Sequence, residues 1–169
     1  DDAANIALGQ NPHELVTRWL SALPYRQRRR IVTTDGEFHT LRRQLGRLGE
    51  EGIDIVAIAA RPAATLGERA AAEVNDRTLA VLVSSVLFET AEIAGGLAKL
   101  AARCRLHGAA LLMDAYHHLN AVPFDLRALD LEDAFVTGGG YKYCQLGEGN
   151  CFLRVPPDTR RSEEHTSEL

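Results

Sequence analysis

Two stretches hold the residues best suited to chemistry. Leu111-Leu-Met-Asp-Ala-Tyr-His-His118 is an apolar run that ends abruptly in a carboxylate and imidazoles. Gly138-Gly-Gly-Tyr-Lys-Tyr143 is a glycine-rich turn presenting a lysine between two tyrosines. A buried acid at one strand end, with an amine about one βα unit later, suits pyridoxal 5'-phosphate (PLP) chemistry. The carboxylate keeps a proton on the pyridine nitrogen, and the amine forms the Schiff base. An unpaired buried carboxylate is costly, so Asp114 is expected either to cap the residues that follow it or to pair with a pyridinium. The lysine downstream favours the pyridinium. Lys142 is one of two lysines in a chain holding 19 Lys and Arg together. A guanidinium stays charged, whereas a desolvated ammonium can lose its proton and act as a nucleophile. That contrast favours a chemical role for Lys142 over a surface lysine whose stem lies along apolar neighbours. Lys99, inside a helical pattern, reads as surface.

These groups need a scaffold, and the chain alternates between two hydrophobic periods. Helices are expected over 14–23, with Leu15, Val16, Trp19 and Leu20 on one face, over 40–51, capped by Gly52, and over 66–74. The longest helix is expected over 91–107, capped by Gly108, with Gly95 and Gly96 weakening it without ending it. Strands are expected over 31–34, 53–59, 79–83, 109–113, 134–137 and 151–155, and the run 79–83 is apolar throughout, as in a strand buried on both faces. The basic run Arg26–Arg30 reads as a solvated turn. Strand and helix in alternation imply an α/β fold, a mostly parallel sheet covered by helices on both faces. Ligands in such folds sit outside the carboxyl ends of the strands. That rule gathers Ser84, Ser85, Asp114 and the turn 138–142 along one edge.

On these anchors, Asp114-x-x-His117 and Tyr141-Lys142, the chain from about Ile6 to Pro156 resembles the class V branch of the fold-type I PLP enzymes, kynureninase and its relatives in particular. The resemblance implies PLP as cofactor, with Lys142 carrying it, Asp114 on the pyridine nitrogen, His117 near the 3′-oxygen and Tyr141 at the phosphate. It further implies Phe38 stacked on the ring and Ser84 in contact with the cofactor. Gln10 and Asn11 would stand at the helix opening that receives the phosphate. Taken alone, His117 reads as a satisfied structural histidine and Phe38 as core. The implied reaction is hydrolysis of the Cβ–Cγ bond of kynurenine, or of a related amino acid, in tryptophan catabolism. Another class V reaction, of aminotransferase or cysteine desulfurase type, is the alternative. The sequence departs from the kynureninase pattern in three places. Leu41 stands where an aspartate is common, Pro12 offers no N–H to a phosphate, and the segment 144–150 differs. A non-catalytic α/β binding domain is the remaining reading, although no G-x-G-x-x-G opens a helix here.

Composition narrows the classes. A formal net charge of −4 gives no electrostatic reason to expect nucleic acid or anionic membrane. No apolar run approaches the roughly 20 residues that span a bilayer. Three cysteines without C-x-x-C spacing suit free thiols in a reducing cytoplasm, Cys104 as core and Cys144 by packing near Lys142. Residues 1–157 read as part of a PLP-binding large domain that would act as a homodimer on a small amino-acid substrate. Residues 158–169 read as a non-native tail, resembling a translated sequencing adapter from Arg161 onward. The start without Met suggests an internal fragment. With the substrate-carboxylate partner expected outside it, the fragment alone is not expected to turn over.

Overall fold

The structure, a computed structural model, describes residues 3–157 and 159. The residues read as a tail lie almost wholly outside that range. Seven strands form one sheet in the order β1-β7-β6-β5-β4-β2-β3, where β1 is Ile6–Gly9, β2 Arg30–Thr34, β3 Asp54–Ile58, β4 Thr78–Ser84, β5 Ala110–Asp114, β6 Phe135–Gly139 and β7 Cys151–Arg154. The five strands from β6 to β3 are parallel, while β7 runs antiparallel to both β6 and β1. β1 therefore points the same way as the parallel set, and its end opens onto the same edge.

Helices cover both faces, as the alternation of periods requires. α1 (Pro12–Ser21) and α2 (His39–Glu50) bury Leu15, Val16, Trp19, Leu41 and Leu45 against Ile31, Ala80, Leu82 and Leu112. α3 (Leu66–Glu73) and α4 (Leu97–His107) bury Leu66, Ala70, Leu97, Leu100 and Cys104 against Val32, Val81, Val83 and Met113. Successive strand side chains point to opposite faces, so β4 divides its apolar run between the two cores. All seven of its residues are buried. All three cysteines are free thiols.

Three sequence expectations are corrected. The fourth helix begins at Leu97 and not at Ala91. Gly96 sits in the left-handed region at φ 74° and ends the preceding segment, a conformation open to glycine at little cost. Residues 91–96 run instead as irregular chain that meets the start of α3, where the Gly67 amide donates to the Gly95 carbonyl at 2.8 Å. The approach is close enough that a Cβ on Gly67 would lie 2.4 Å from the carbonyl carbon and oxygen of Gly96. Gly67→Ala must push two backbones apart, and it should cost about 1–3 kcal/mol in urea unfolding. An unchanged midpoint would show that this contact is looser than the geometry implies.

β1 is the second correction. Only four residues long, and paired only with β7, it is too short for its period to register in the sequence. The basic run is the third. Arg28 turns inward to donate to the carbonyls of Thr78, His107 and Gly108, and Arg30 bridges Asp54 and Glu73. Both arginines tie strand starts to helix ends at the edge opposite the site. Among the described residues no helix is long and apolar enough to cross a membrane.

Candidate functional site

At the carboxyl edge a cavity of about 520 Å³ opens between the start of α1, the start of α2 and the ends of β5 and β6. Asp114, His117, Tyr141, Lys142, Phe38 and Asn11 all line it. The groups expected to share one small ring thus meet on one side of the sheet. Asp114 ends β5, Asn11 and Phe38 stand at the openings of α1 and α2, and His117, Tyr141 and Lys142 lie in the turns that follow β5 and β6.

Asp114 is the last residue of β5. Its Oδ1 accepts the Tyr116 amide at 2.9 Å, so the capping expected of it is real and uses one oxygen. Burial raises its pKa, opposed by that hydrogen bond and by the nearby charge of Lys142. Lys142 feels the reverse. Burial lowers its pKa, while Asp114 raises it. Its Nζ contacts His117 Nε2 and lies 5.5 Å from the Phe38 ring centre and 5.3 Å from that of Tyr116. Burial, then the ammonium beside it, brings His117 down to about 4, so its ring is neutral at ordinary pH and accepts from Lys142. Burial favours loss of the Lys142 proton, while the Asp114 charge, the two aromatic faces and the His117 acceptor favour keeping it.

Phe38 immediately precedes α2, and its ring packs edge-on against Phe88 at 5.3 Å. Tyr141 lines the cavity with 58% of its surface exposed. At the opening of α1, Asn11 Oδ1 accepts the Glu14 amide at 2.9 Å, and Glu14 Oε2 accepts the Gln10 amide at 3.4 Å. This reciprocal cap uses one of the first-turn amides and Pro12 removes another, leaving that of His13, a residue that lines the cavity. Gln10 is exposed and does not line the cavity, so its side chain is not brought to the site. Leu41, in the place of a common aspartate, forms apolar wall with Val16 and Leu112.

Ser84 departs most from expectation. It ends β4 but is buried outside the cavity lining, where its hydroxyl donates to Glu37 Oε2 at 2.6 Å. His118 is buried and bonded to the Pro123 carbonyl, a structural role. Cys144 is half-buried and does not line the cavity, and Lys99 is a surface residue paired with Glu68.

Sequence reasoning missed Tyr116, Thr137, Gln44 and Glu37. Tyr116 lay inside a motif already singled out, Asp114-x-x-His117, and its spacing was the available signal. Gln44 sits one helical turn after Thr40 on α2, and both line the cavity. Glu37 stands among turn residues and resembles an ordinary solvated acid.

No protein-family model and no curated protein matches the sequence. Solved structures do. A NifS-like protein superposes with a TM-score of 0.78 at 16% identity over 94% of this chain and 44% of its own. The cysteine desulfurase of Thermococcus onnurineus NA1 superposes with a TM-score of 0.76 at 20% identity, over 90% of this chain and 38% of its own. A cystine C–S lyase, solved with its product cysteine persulfide, gives 0.75 at 21% identity, over 93% and 42%. The chain spans less than half the length of each. The likeness at these identities is one of fold, and it bears out the fold-type I α/β architecture expected from the sequence.

Proposed function

We propose that this chain is the cofactor-binding part of a class V PLP enzyme that acts on an amino acid. The observation that carries the reading is that Asp114, Lys142 and Phe38 line one cavity at the carboxyl edge of the sheet. The residues present fit the group. An amine with a lowered pKa, a buried carboxylate, an aromatic ring and a helix opening are the four contacts a phosphorylated pyridine aldehyde requires. Bound there, PLP would supply an electron sink for charge developing at Cα of the substrate.

The side chains divide the remaining work. Lys142 Nζ would hold the cofactor's aldehyde carbon and, once displaced by substrate, remove the Cα proton. Asp114 would keep the ring nitrogen protonated, its charge favoured by the Tyr116 amide and by Lys142 against the cost of burial. His117, neutral, would orient the ring oxygen. Phe38 would cover one ring face and exclude water. The His13 amide, the α1 dipole and the Tyr141 hydroxyl would bind the phosphate.

For the reaction itself, the desulfurase or C–S lyase type has the better support, since structures carrying those names share this fold. The kynureninase type is supported by a separate observation, the apolar wall of Val16, Leu41 and Leu112, which suits an aromatic substrate ring. A cytoplasmic homodimer is part of this reading. Exposed Tyr141, Tyr143 and Leu146 beside the cavity are surface that a second copy would cover. The test is to add PLP to the intact enzyme, reduce with borohydride and map the modified peptide, then assay cysteine and cystine for sulfide or persulfide and kynurenine for anthranilate. PLP fixed on Lys99, or on no lysine, refutes the assignment. Anthranilate without sulfur release would favour the kynureninase reading.

A further inference from the structure

One ionisable side chain lies deeper than the cavity. Glu37, in the turn between β2 and α2 directly before Phe38, has no exposed surface. Its Oε1 accepts the Thr34 hydroxyl at 2.6 Å and the Ser84 amide at 3.1 Å, and its Oε2 accepts the Ser84 hydroxyl at 2.6 Å. A carboxyl so buried is costly unless satisfied, and here two strand ends satisfy it. Ser84 stands opposite Asp114 in the β4–β5 register. The next residue, Ser85, donates its amide at 2.9 Å and its hydroxyl at 3.2 Å to the main-chain carbonyl of Asp114. Two adjacent serines therefore join Glu37 on one side to Asp114 on the other, across three neighbouring strands.

We propose that Glu37 is a positioning residue for the cavity: it anchors the turn carrying Phe38 to the end of β4 and, through the proton it holds, sets the electrostatic surroundings of Asp114. Burial pushes Glu37 up to about 7, against hydrogen bonds from Ser84 and Thr34, and the charge of Asp114 pushes it in the same direction as burial. The titratable groups around it are few. Asp114 faces it from β5, with Lys142 beside Asp114. β2 and β4 present the neutral Thr34 and Ser84. Asp35 on its own turn is exposed and accepts the Ala60 amide instead.

Two carboxyls that feel each other, one buried and one half-buried, do not both ionise readily. In a neutral Glu37 one carboxyl oxygen donates its proton to the Ser84 or Thr34 hydroxyl in place of accepting from it, and the charge is left on Asp114. As pH rises through about 7, Glu37 ionises and makes Asp114 the stronger base. The consequence for stability follows from the raised folded-state pKa. The proton on Glu37 stabilises the fold fully below its ordinary value of 4.5, and that contribution is lost as pH climbs toward about 7.

Only the task of Asp114 rests on the PLP reading; the proton on Glu37 can be tested without cofactor. Wild type, Glu37→Gln and Glu37→Leu are compared. Glutamine keeps an acceptor for Thr34 and the Ser84 amide but cannot titrate, and leucine leaves those donors unsatisfied. Urea midpoints without PLP should fall for wild type between about pH 4.5 and about pH 7 relative to Glu37→Gln. A purely structural role would offset the two curves by a constant. With PLP, the visible band of wild type should titrate near neutrality and that of Glu37→Gln should not, while Glu37→Leu should bind PLP about tenfold more weakly. Parallel curves for wild type and Glu37→Gln in both titrations overturn the proposal, as does unweakened PLP binding by Glu37→Leu. A pH difference in the apo proteins, with no variant and no wild type fixing PLP, supports the buried proton and refutes the cofactor reading instead.

Discussion

Lys142→Ala should leave the chain folded and abolish borohydride-fixable PLP. The side chain sits in the loop after β6, half-buried, and its contacts are with His117 and two ring faces. Removing it opens no core cavity, so unfolding midpoints should move by about 1 kcal/mol or less. In the intact enzyme, turnover should fall on the order of 10²–10⁴-fold, the usual contribution of a positioned proton-transfer group, even if PLP is supplied in excess. Lys142→Arg should fail equally, because a guanidinium keeps its proton where an ammonium in this setting can shed it. Peptide mapping after reduction checks the first claim and amino-acid turnover the second. Retention of fixed cofactor in Lys142→Ala would remove Lys142 from the site.

Asp114→Asn should separate charge from geometry. Asparagine keeps an Oδ1 acceptor for the Tyr116 amide, so the turn after β5 survives. What disappears is the negative charge expected opposite the ring nitrogen, in a half-buried setting where such a charge is less screened than at the surface. In the intact enzyme, turnover should drop by about 10²–10³-fold, the scale of losing one preorganised electrostatic contact. A second effect has a definite sign. The charge of Asp114 raises the pKa of Lys142, so its removal should shift the pH dependence of PLP attachment to lower pH. Stopped-flow attachment rates across pH read that shift. Wild-type turnover together with an unmoved pH profile would place Asp114 in a capping role alone.

The fold was legible where pattern and burial coincide. The unbroken apolar run of β4 reads as a strand with both faces covered, and all seven of its residues are buried. The apolar periods of α1 and α2 identify the faces that pack on the sheet. Asp114 and Lys142 stood out because each follows an apolar strand, and the parallel topology carries both to the same edge. Other features resisted the same reasoning. The stretch 91–96 has the composition of a helix, yet Gly96 takes a left-handed conformation because the chain must pass close to Gly67. Arg28 reads as a solvated charge, and it turns inward because three carbonyls lie within its reach.

Ser84 and Glu37 mark the boundary most clearly. By itself the sequence determined the alternation of elements, the apolar faces and the identity of the groups that end each strand. These are properties of a residue and its near neighbours, since burial and period are written every two or four positions. Only the tertiary structure decided which polar groups meet. Ser84 bonds Glu37, 47 residues away, because the strand order sets β4 between β2 and β5. A polar side chain at a strand end takes its partner from the strand beside it, and that neighbour is chosen by the packing of the whole sheet.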